Sequence, residues 1–323
     1  MQFFSKAHVY DFMSKRYIAL AVSAVLFFGS LFLMATKGFN YGIDFSGGTL
    51  IQVKYDSAVS LDKIRAALTK DEAYKNASVT EFGSAEEVTI RFSGANSNLG
   101  SDVGASVAEL LKDTGKFEIR RTDVVGPKVG DELREKGVMA LAISLVGILI
   151  YIAFRFEWRF AMAAVASEIH DVVITMGSIS FFAIDVNLDT LAAILTVVGY
   201  SLNDTIIVFD RIRENIKTSK STHLDTIINE SVSATLTRTI LTSGTTLITV
   251  VVLFLFGGDM IHGFSLALIV GIVIGTLSSI FVAAPMLLWF KFSVEKYRAM
   301  EAEKARVQRE KDKQRAMFEK GTI

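Results

Sequence analysis

Five ionisable residues, Glu168, His170, Asp171, Asp204 and Arg238, sit inside stretches otherwise apolar enough to cross a membrane. A charge in such a segment costs about 2.5–3.5 kcal/mol on an insertion scale unless it is paired or solvated, so each marks an ion path or a fixed contact. Asp204 lies shortly before the inner end of the fourth apolar run, and Arg238 shortly after the start of the fifth. Those runs point in opposite directions, which brings the two residues to similar depth and allows them to be ion partners. Desolvation favours the protonated form of a carboxyl, whereas a guanidinium brought close favours the carboxylate; moving the Arg loads or releases a proton. A static pair that fixes helix register is the alternative. Glu168 and Asp171, at i and i+3, share a helical face, where they line a wet crevice or hydrogen-bond to small polar residues. Histidine has a reference pKa of about 6.5, so His170 can shuttle protons or simply pack against Asp171; these two are secondary candidates.

Other chemistry is poorly supplied. Gly42-Ile43-Asp44-Phe45-Ser46-Gly47-Gly48 has paired glycines before a strand, but no Lys follows to hold phosphate, so ATP is not the expected fuel. Gly47 and Gly48 read as a turn into that strand, with Asp44 satisfying nearby backbone N–H groups. There are no cysteines and only four histidines, which removes thiolate chemistry and leaves little for a metal centre. No enzymatic activity or cofactor is expected. Lys and Arg total 34 and so do Asp and Glu, giving no surplus of positive charge for nucleic acid.

The elements that must position these residues follow from hydropathy. The 323 residues are 51% hydrophobic, with a mean hydropathy of +0.41. A spanning helix needs about 20 mainly apolar residues, and six windows qualify: 17–35, 137–154, 160–184, 188–209, 233–256 and 263–290. The last is long enough to tilt or bend at Pro285. The first resembles a signal peptide after Lys15 and Arg16, but lacks a small-x-small cleavage site and is expected to remain as an anchor. Lys6, Lys15, Arg16, Arg155, Arg159, Arg211, Arg213, Lys217 and Lys220 flank one set of helix ends, while the loops 185–189 and 257–262 have no Lys or Arg. The positive-inside rule then places both termini in the cytoplasm.

Residues 37–136 are charged and Gly-rich with short apolar runs, as expected of a small external domain. Its pattern is a strand over 49–55, a helix over 61–68, strands over 77–82 and 88–92, a helix over 103–112 and a strand over 117–124. The order β-α-β-β-α-β is ferredoxin-like. The chain thus divides into a cytoplasmic segment 1–16, a first membrane helix 17–36, the external domain 37–136, a five-helix bundle 137–290 and a charged tail 291–323. The stretch 295–320 mixes charge signs as a solvated helix or disordered segment does. Ser243-Gly244-Thr245-Thr246 and the Gly271 to Gly275 stretch, followed by Ser278 and Ser279, suit close helix packing.

Several strings carry a resemblance. They are Gly42 to Thr49, Val125-Gly126-Pro127-Lys128-Val129-Gly130, Phe154-Arg155-Phe156-Glu157-Trp158-Arg159, His170-Asp171-Val172-Val173-Ile174-Thr175, and Val198-Gly199-Tyr200-Ser201-Leu202-Asn203-Asp204 leading into Asp210-Arg211-Ile212-Arg213-Glu214-Asn215. Arg238-Thr239 with Thr242 to Thr246, and Gly257-Gly258 with Gly263-Phe264-Ser265, complete the set. Together they resemble the SecF family of protein-export membrane subunits, within the resistance-nodulation-division superfamily. The resemblance implies a bacterial inner-membrane protein that pairs with SecD and works beside the translocon of SecY, SecE and SecG, with YajC, the preprotein and membrane lipids as further partners. It implies use of the proton-motive force, with Asp204 and Arg238 at the family's proton-transport positions and Asp44, Gly47, Gly48 and Asn203 as motif residues. A scaffold for SecD without its own proton relay is the competing role. An exporter of small molecules would need a second six-helix unit, and only one is present.

Overall fold

The computed structural model describes residues 9–82, 84–92, 103–258 and 261–319. Lys6 and the first half of the expected segment 1–16, residues 259–260 of one loop without Lys or Arg, and residues 320–323 of the tail lie outside the described residues. The chain begins its regular structure with α1 (Arg16–Lys37), then a short strand β1 (Asn40–Tyr41) and a single helical turn α2 (Ile43–Ser46). A sheet domain follows: β2 (Gly48–Tyr55), α3 (Leu61–Leu68), β3 (Ser78–Phe82), β4 (Ser84–Phe92), α4 (Val103–Leu111) and β5 (Phe117–Val125). The remainder is helical, with α5 (Pro127–Arg155), α6 (Trp158–Phe181), α7 (Leu188–Thr218), α8 (Leu224–Phe256), α9 (His262–Ser278), α10 (Ala284–Trp289) and α11 (Val294–Glu319). A two-residue strand β6 (Asp185–Val186) separates α6 from α7.

The sheet is antiparallel throughout, in the order β3-β4-β2-β5, with Ile51 opposite Ile90 and Thr49 opposite Val124. Alternation decides its faces. Ile51, Val53, Val88 and Ile90 point to one side and are fully buried against Ile64 and Leu68 of α3 and Val107 and Leu111 of α4. The opposite face carries Gln52, Thr89, Arg91 and Arg121, which line a cleft with Asp185, Asn187 and Asp189 at the α6–α7 turn. There Arg91 grips Asp185 through both guanidinium nitrogens, one of them at 3.0 Å.

Among the described residues six helices are long and apolar enough to cross a membrane, and they sort into two groups. In α6, α7 and the α9–α10 run about half of the apolar window is buried within the chain: 56%, 50% and 56%. For α1, α5 and α8 the shares are 6%, 11% and 11%, so their apolar surface faces outward. Without water a spanning helix needs no buried apolar face, so the outer three are stable there as lipid- or partner-facing walls. The inner three hold Glu168, His170, Asp171 and Asp204, while Arg238 and Ser243 come from α8 of the outer group.

Three boundaries differ by nine or ten residues from the hydropathy windows, the end of α7 at Thr218, not 209, among them. α5 begins at Pro127, not 137, and α8 at Leu224, not 233. In both cases the first turns are amphipathic, so the helix starts before its apolar window does. Proline suits this position in α5, because the missing N–H belongs to a helix end that has no acceptor for it. Near Pro285 the last span changes hydrogen-bond pattern: Ser279–Ala283 forms a π-helical turn immediately before α10. Proline cannot donate to the preceding turn, and the wider turn accommodates that loss.

Candidate functional site

Small residues bring the inner helices together. A Cβ on Gly275 of α9 would lie 2.8 Å from the Ser201 Cβ of α7, so only glycine lets the backbones approach this closely. Side chains with hydroxyls then reach across between helices. Asp171, fully buried on α6, is the hub of one cluster. Its Oδ2 accepts hydrogen bonds from Ser201 Oγ of α7 at 2.5 Å and from Ser278 Oγ of α9 at 2.6 Å, and its Oδ1 is 2.8 Å from His170 Nδ1. His170 stacks flat against Phe27 of α1 and leaves Nε2 without a partner among the described residues. One turn earlier, Glu168 is 4% exposed and neither carboxyl oxygen has a hydrogen-bond partner among the described residues. Three helices thus meet at one carboxylate, and a second, unpartnered carboxyl sits beside it.

Asp204 forms the second cluster, one turn along α7 from Ser201. It is 4% exposed and its Oδ2 accepts from Ser243 Oγ of α8 at 2.9 Å and from Thr276 Oγ1 of α9 at 3.4 Å. The buried hydroxyls of Thr205 on α7 and Thr239 on α8 have no hydrogen-bond partner among the described residues. Arg238 is close enough to act on Asp204 electrostatically, but among the described residues the two form no ion pair. Equal depth is not equal facing: Arg238 is exposed and lines a cleft of about 640 Å³ with Asn203, Ile207, Asp210 and Ala234, while Asp204 points between helices. The two groups are neighbours separated by a helix face.

The motif residues near β2 do a different job. Asp44 Oδ2 accepts the backbone N–H of Leu188 at 3.1 Å, at the start of α7. Gly47 ends α2 with φ +66°, a conformation that other residues rarely adopt, and a Cβ there would lie 2.8 Å from the Cα of Pro127. A Cβ on Gly130 would lie 2.8 Å from the backbone N of Gly47. Gly48, also at positive φ, opens β2. These contacts tie the start of the sheet to the start of α5.

Of the residues singled out by type and position, Asp171 and His170 come together, Asp204 and Arg238 lie near each other without touching, and Asn203 lines the Arg238 cleft. Two partners were hidden from the sequence. Thr276 carried no signal, and Ser278 looked like a packing residue although it binds Asp171. Ser243 also read as packing, and Ser201 as a member of the string Val198 to Asp204; they donate to Asp204 and Asp171 respectively.

Six spans around a core of buried carboxyls, hydroxyls and one imidazole define a multi-pass membrane protein with a titratable interior. Residues 106–293 match the model for the C-terminal region of the protein export membrane proteins SecD and SecF, and residues 32–59 match the SecD/SecF GG motif. The chain belongs to this family. It is similar to the protein translocase subunit SecF of Helicobacter pylori, 43% identical over 323 residues with all of both chains covered. It is also similar to that of Vibrio alginolyticus, 46% identical over 291 residues, covering 90% of this chain and 91% of the relative. Among solved structures it resembles SecDF, a translocon-associated membrane protein from Thermus thermophilus, with a TM-score of 0.80 and 35% identity over 88% of this chain. A SecDF structure in a super-membrane-facing form aligns with a TM-score of 0.66 and 34% identity. The chain spans 39% and 40% of those two solved chains, which are correspondingly longer.

Proposed function

We propose that this chain acts as the SecF-type subunit of the protein translocase and, with SecD, couples the proton-motive force to preprotein movement across the bacterial inner membrane. Its full-length similarity to translocase SecF subunits supports the first part of that reading. What carries the second is Asp204: a buried carboxyl held by hydroxyls of two other helices, beside an Arg that influences it without neutralising it in an ion pair. A locked pair would resist exchange, whereas a hydroxyl-lined carboxyl with a movable cation nearby can take up and release a proton as helices shift. Asp171 and His170, on α6, are the secondary members of the relay, and Glu168 stands beside them.

One elementary charge crossing 100 mV is worth about 2.3 kcal/mol, enough to bias a two-state bundle but not to drive large work alone. Large work would need several protons or a chemical gradient. The external domain, residues 37–136, is read as ferredoxin-like from its β-α-β-β-α-β order and strand order, with both termini cytoplasmic and the divisions 1–16, 17–36, 137–290 and 291–323 as the remaining parts. SecY, SecE, SecG, YajC, the preprotein and lipids are its proposed surroundings, and no nucleic acid is among them. The test is co-purification with SecD followed by proton-flux and translocation assays. Asp204→Asn and Arg238→Met are expected to assemble with SecD and lose proton-dependent stimulation; full proton-dependent activity in both variants would overturn the relay.

A further inference from the structure

Both ends of the chain fasten onto the tip of the α7–α8 hairpin, the two helices that carry Asp204 and Arg238. On one side Arg298 of α11 reaches three backbone carbonyls: its Nε donates to Ile216 at 2.5 Å, and its Nη2 to Ser219 at 2.8 Å and Ser221 at 2.9 Å. Ile216 lies in the last turn of α7, where carbonyls have no intrahelical donor and the helix dipole presents its negative end. The rigid fork of a guanidinium can serve several acceptors at once, and an ammonium cannot reproduce that geometry.

The helix that bears Arg298 is seated, not merely adjacent. Phe292, Val294 and Tyr297 are buried in the main apolar cluster, and Lys217 pairs with Glu301 at 2.6 Å. From the other side, Asn229 of α8 accepts the backbone N–H groups of Phe12 and Met13 at 3.0 Å each, and Met13 is 2% exposed.

Geometry makes the tip a lever. Arg238 stands roughly 14 residues beyond the start of α8, about 21 Å at 1.5 Å per residue. A change of about 10° in the angle between α7 and α8 at the tip therefore moves Arg238 by about 4 Å. Because the field of a charge falls with distance, a shift of that size changes what Asp204 feels.

We propose that Arg298 is a positioning residue for the Asp204 and Arg238 pair: by bridging the end of α7 and the α7–α8 turn it fixes the angle between the helices that carry them. This rests on the proton-coupling reading of the two residues, and its test is separable from that reading. The chain has no cysteine, so Ile207→Cys and Ala234→Cys, on α7 and α8 around the same cleft, can be spin-labelled without background. Pulsed-dipolar distance measurements on the full chain with its SecD partner in nanodiscs are expected to give a narrow distribution. Arg298→Ala should widen it at least two-fold. Arg298→Lys, which keeps the charge and protects against simple loss of folding, should stay wide, while Lys313→Ala on the exposed end of α11 should match the parent. Only nanodisc complexes that elute with SecD as a single size-exclusion peak are measured, which removes unfolded protein, so the width reports position. If Arg298→Ala and Arg298→Lys both retain the parental width, the inference is overturned. Whether Asp204 carries a proton is decided by the Asp204→Asn flux assay and does not enter this readout.

Discussion

The contact between Gly47 and the start of α5 lends itself to a quantitative test. A methyl group at Gly47 would sit 2.8 Å from the Cα of Pro127 and 3.1 Å from its N, on a backbone at φ +66°. Carbon atoms settle at about 3.5–4.0 Å, so the added carbon overlaps backbone that cannot rotate away. Overpacking of this kind costs about 1–3 kcal/mol, and holding an L-residue in the left-handed region costs about 1–2 kcal/mol more. Gly47→Ala is therefore expected to destabilise the protein by about 2–5 kcal/mol. Gly130→Ala meets the same contact from the other side, with 2.8 Å to the Gly47 N, but within a helix, so only the overlap of about 1–3 kcal/mol applies.

Because the two sites touch, their effects should not add: once Gly47→Ala has pushed α5 away, Gly130→Ala has less to displace. Gly126, between them in sequence, has open space around its Cβ position, and Gly126→Ala should fall within about 0.5 kcal/mol of the parent. Thermal unfolding in detergent, with limited proteolysis of the sheet domain, measures all four variants. Gly47→Ala melting with the parent, or a double variant whose cost equals the sum of the singles, would show that the motif glycines do not clamp the sheet to α5.

Two further outcomes follow from the polar clusters. Asp171→Ala removes the acceptor for Ser201, Ser278 and His170; Ser278 retains the Gly275 carbonyl at 3.0 Å, but the others are left in a dry interior. A destabilisation of about 2–4 kcal/mol is expected, against about 1 kcal/mol for Ser278→Ala, and melting curves that rank them the other way would remove Asp171 as the hub. At the hairpin tip, hydrogen bonding to the Lys217 ammonium, helped by Lys304, holds the Glu301 carboxyl below its ordinary value of 4.5. A depressed folded value means the contact stabilises above about pH 4.5 and is lost as the pH falls through the folded value. The protection factors of the α11 amides, measured against intrinsic exchange at each pH, should accordingly fall on acidification in the parent, while Glu301→Gln should show reduced protection already at pH 7 and little further change.

Membrane helices announce themselves because lipid demands an apolar stretch of fixed length, and all six were readable from that demand alone. The sheet domain was readable for a different reason: residues 49–55 alternate, and the observed strand Gly48–Tyr55 keeps that alternation, whereas Phe117–Val125 forms a strand whose register shifts opposite Gln52 and Val53. Hydropathy fails where a helix leaves the membrane, which is why the first turns of α5 and α8 were missed. It also fails on rotation. The depth of Asp204 and Arg238 follows from counting residues, but the face each presents depends on which neighbours α7 and α8 pack against, and the direct ion pair allowed by depth is replaced by hydroxyl donors from Ser243 and Thr276.

Long-range partners were the least legible. Ser278 lies 107 residues from Asp171, and nothing in a stripe of small residues says which hydroxyl will find a carboxylate. Likewise the mixed charges of the tail describe a solvated helix well for its outer turns, which are exposed, but conceal three apolar residues at its beginning. Phe292, Val294 and Tyr297 are enough to seat α11 on the bundle, and seating is what turns Arg298 from one charge among many into a cap on α7. The chemistry of this protein therefore depends on two kinds of residue: ionisable groups whose presence in an apolar run marks them at once, and small or hydroxylated residues whose importance appears only when three helices are brought within reach of one carboxylate.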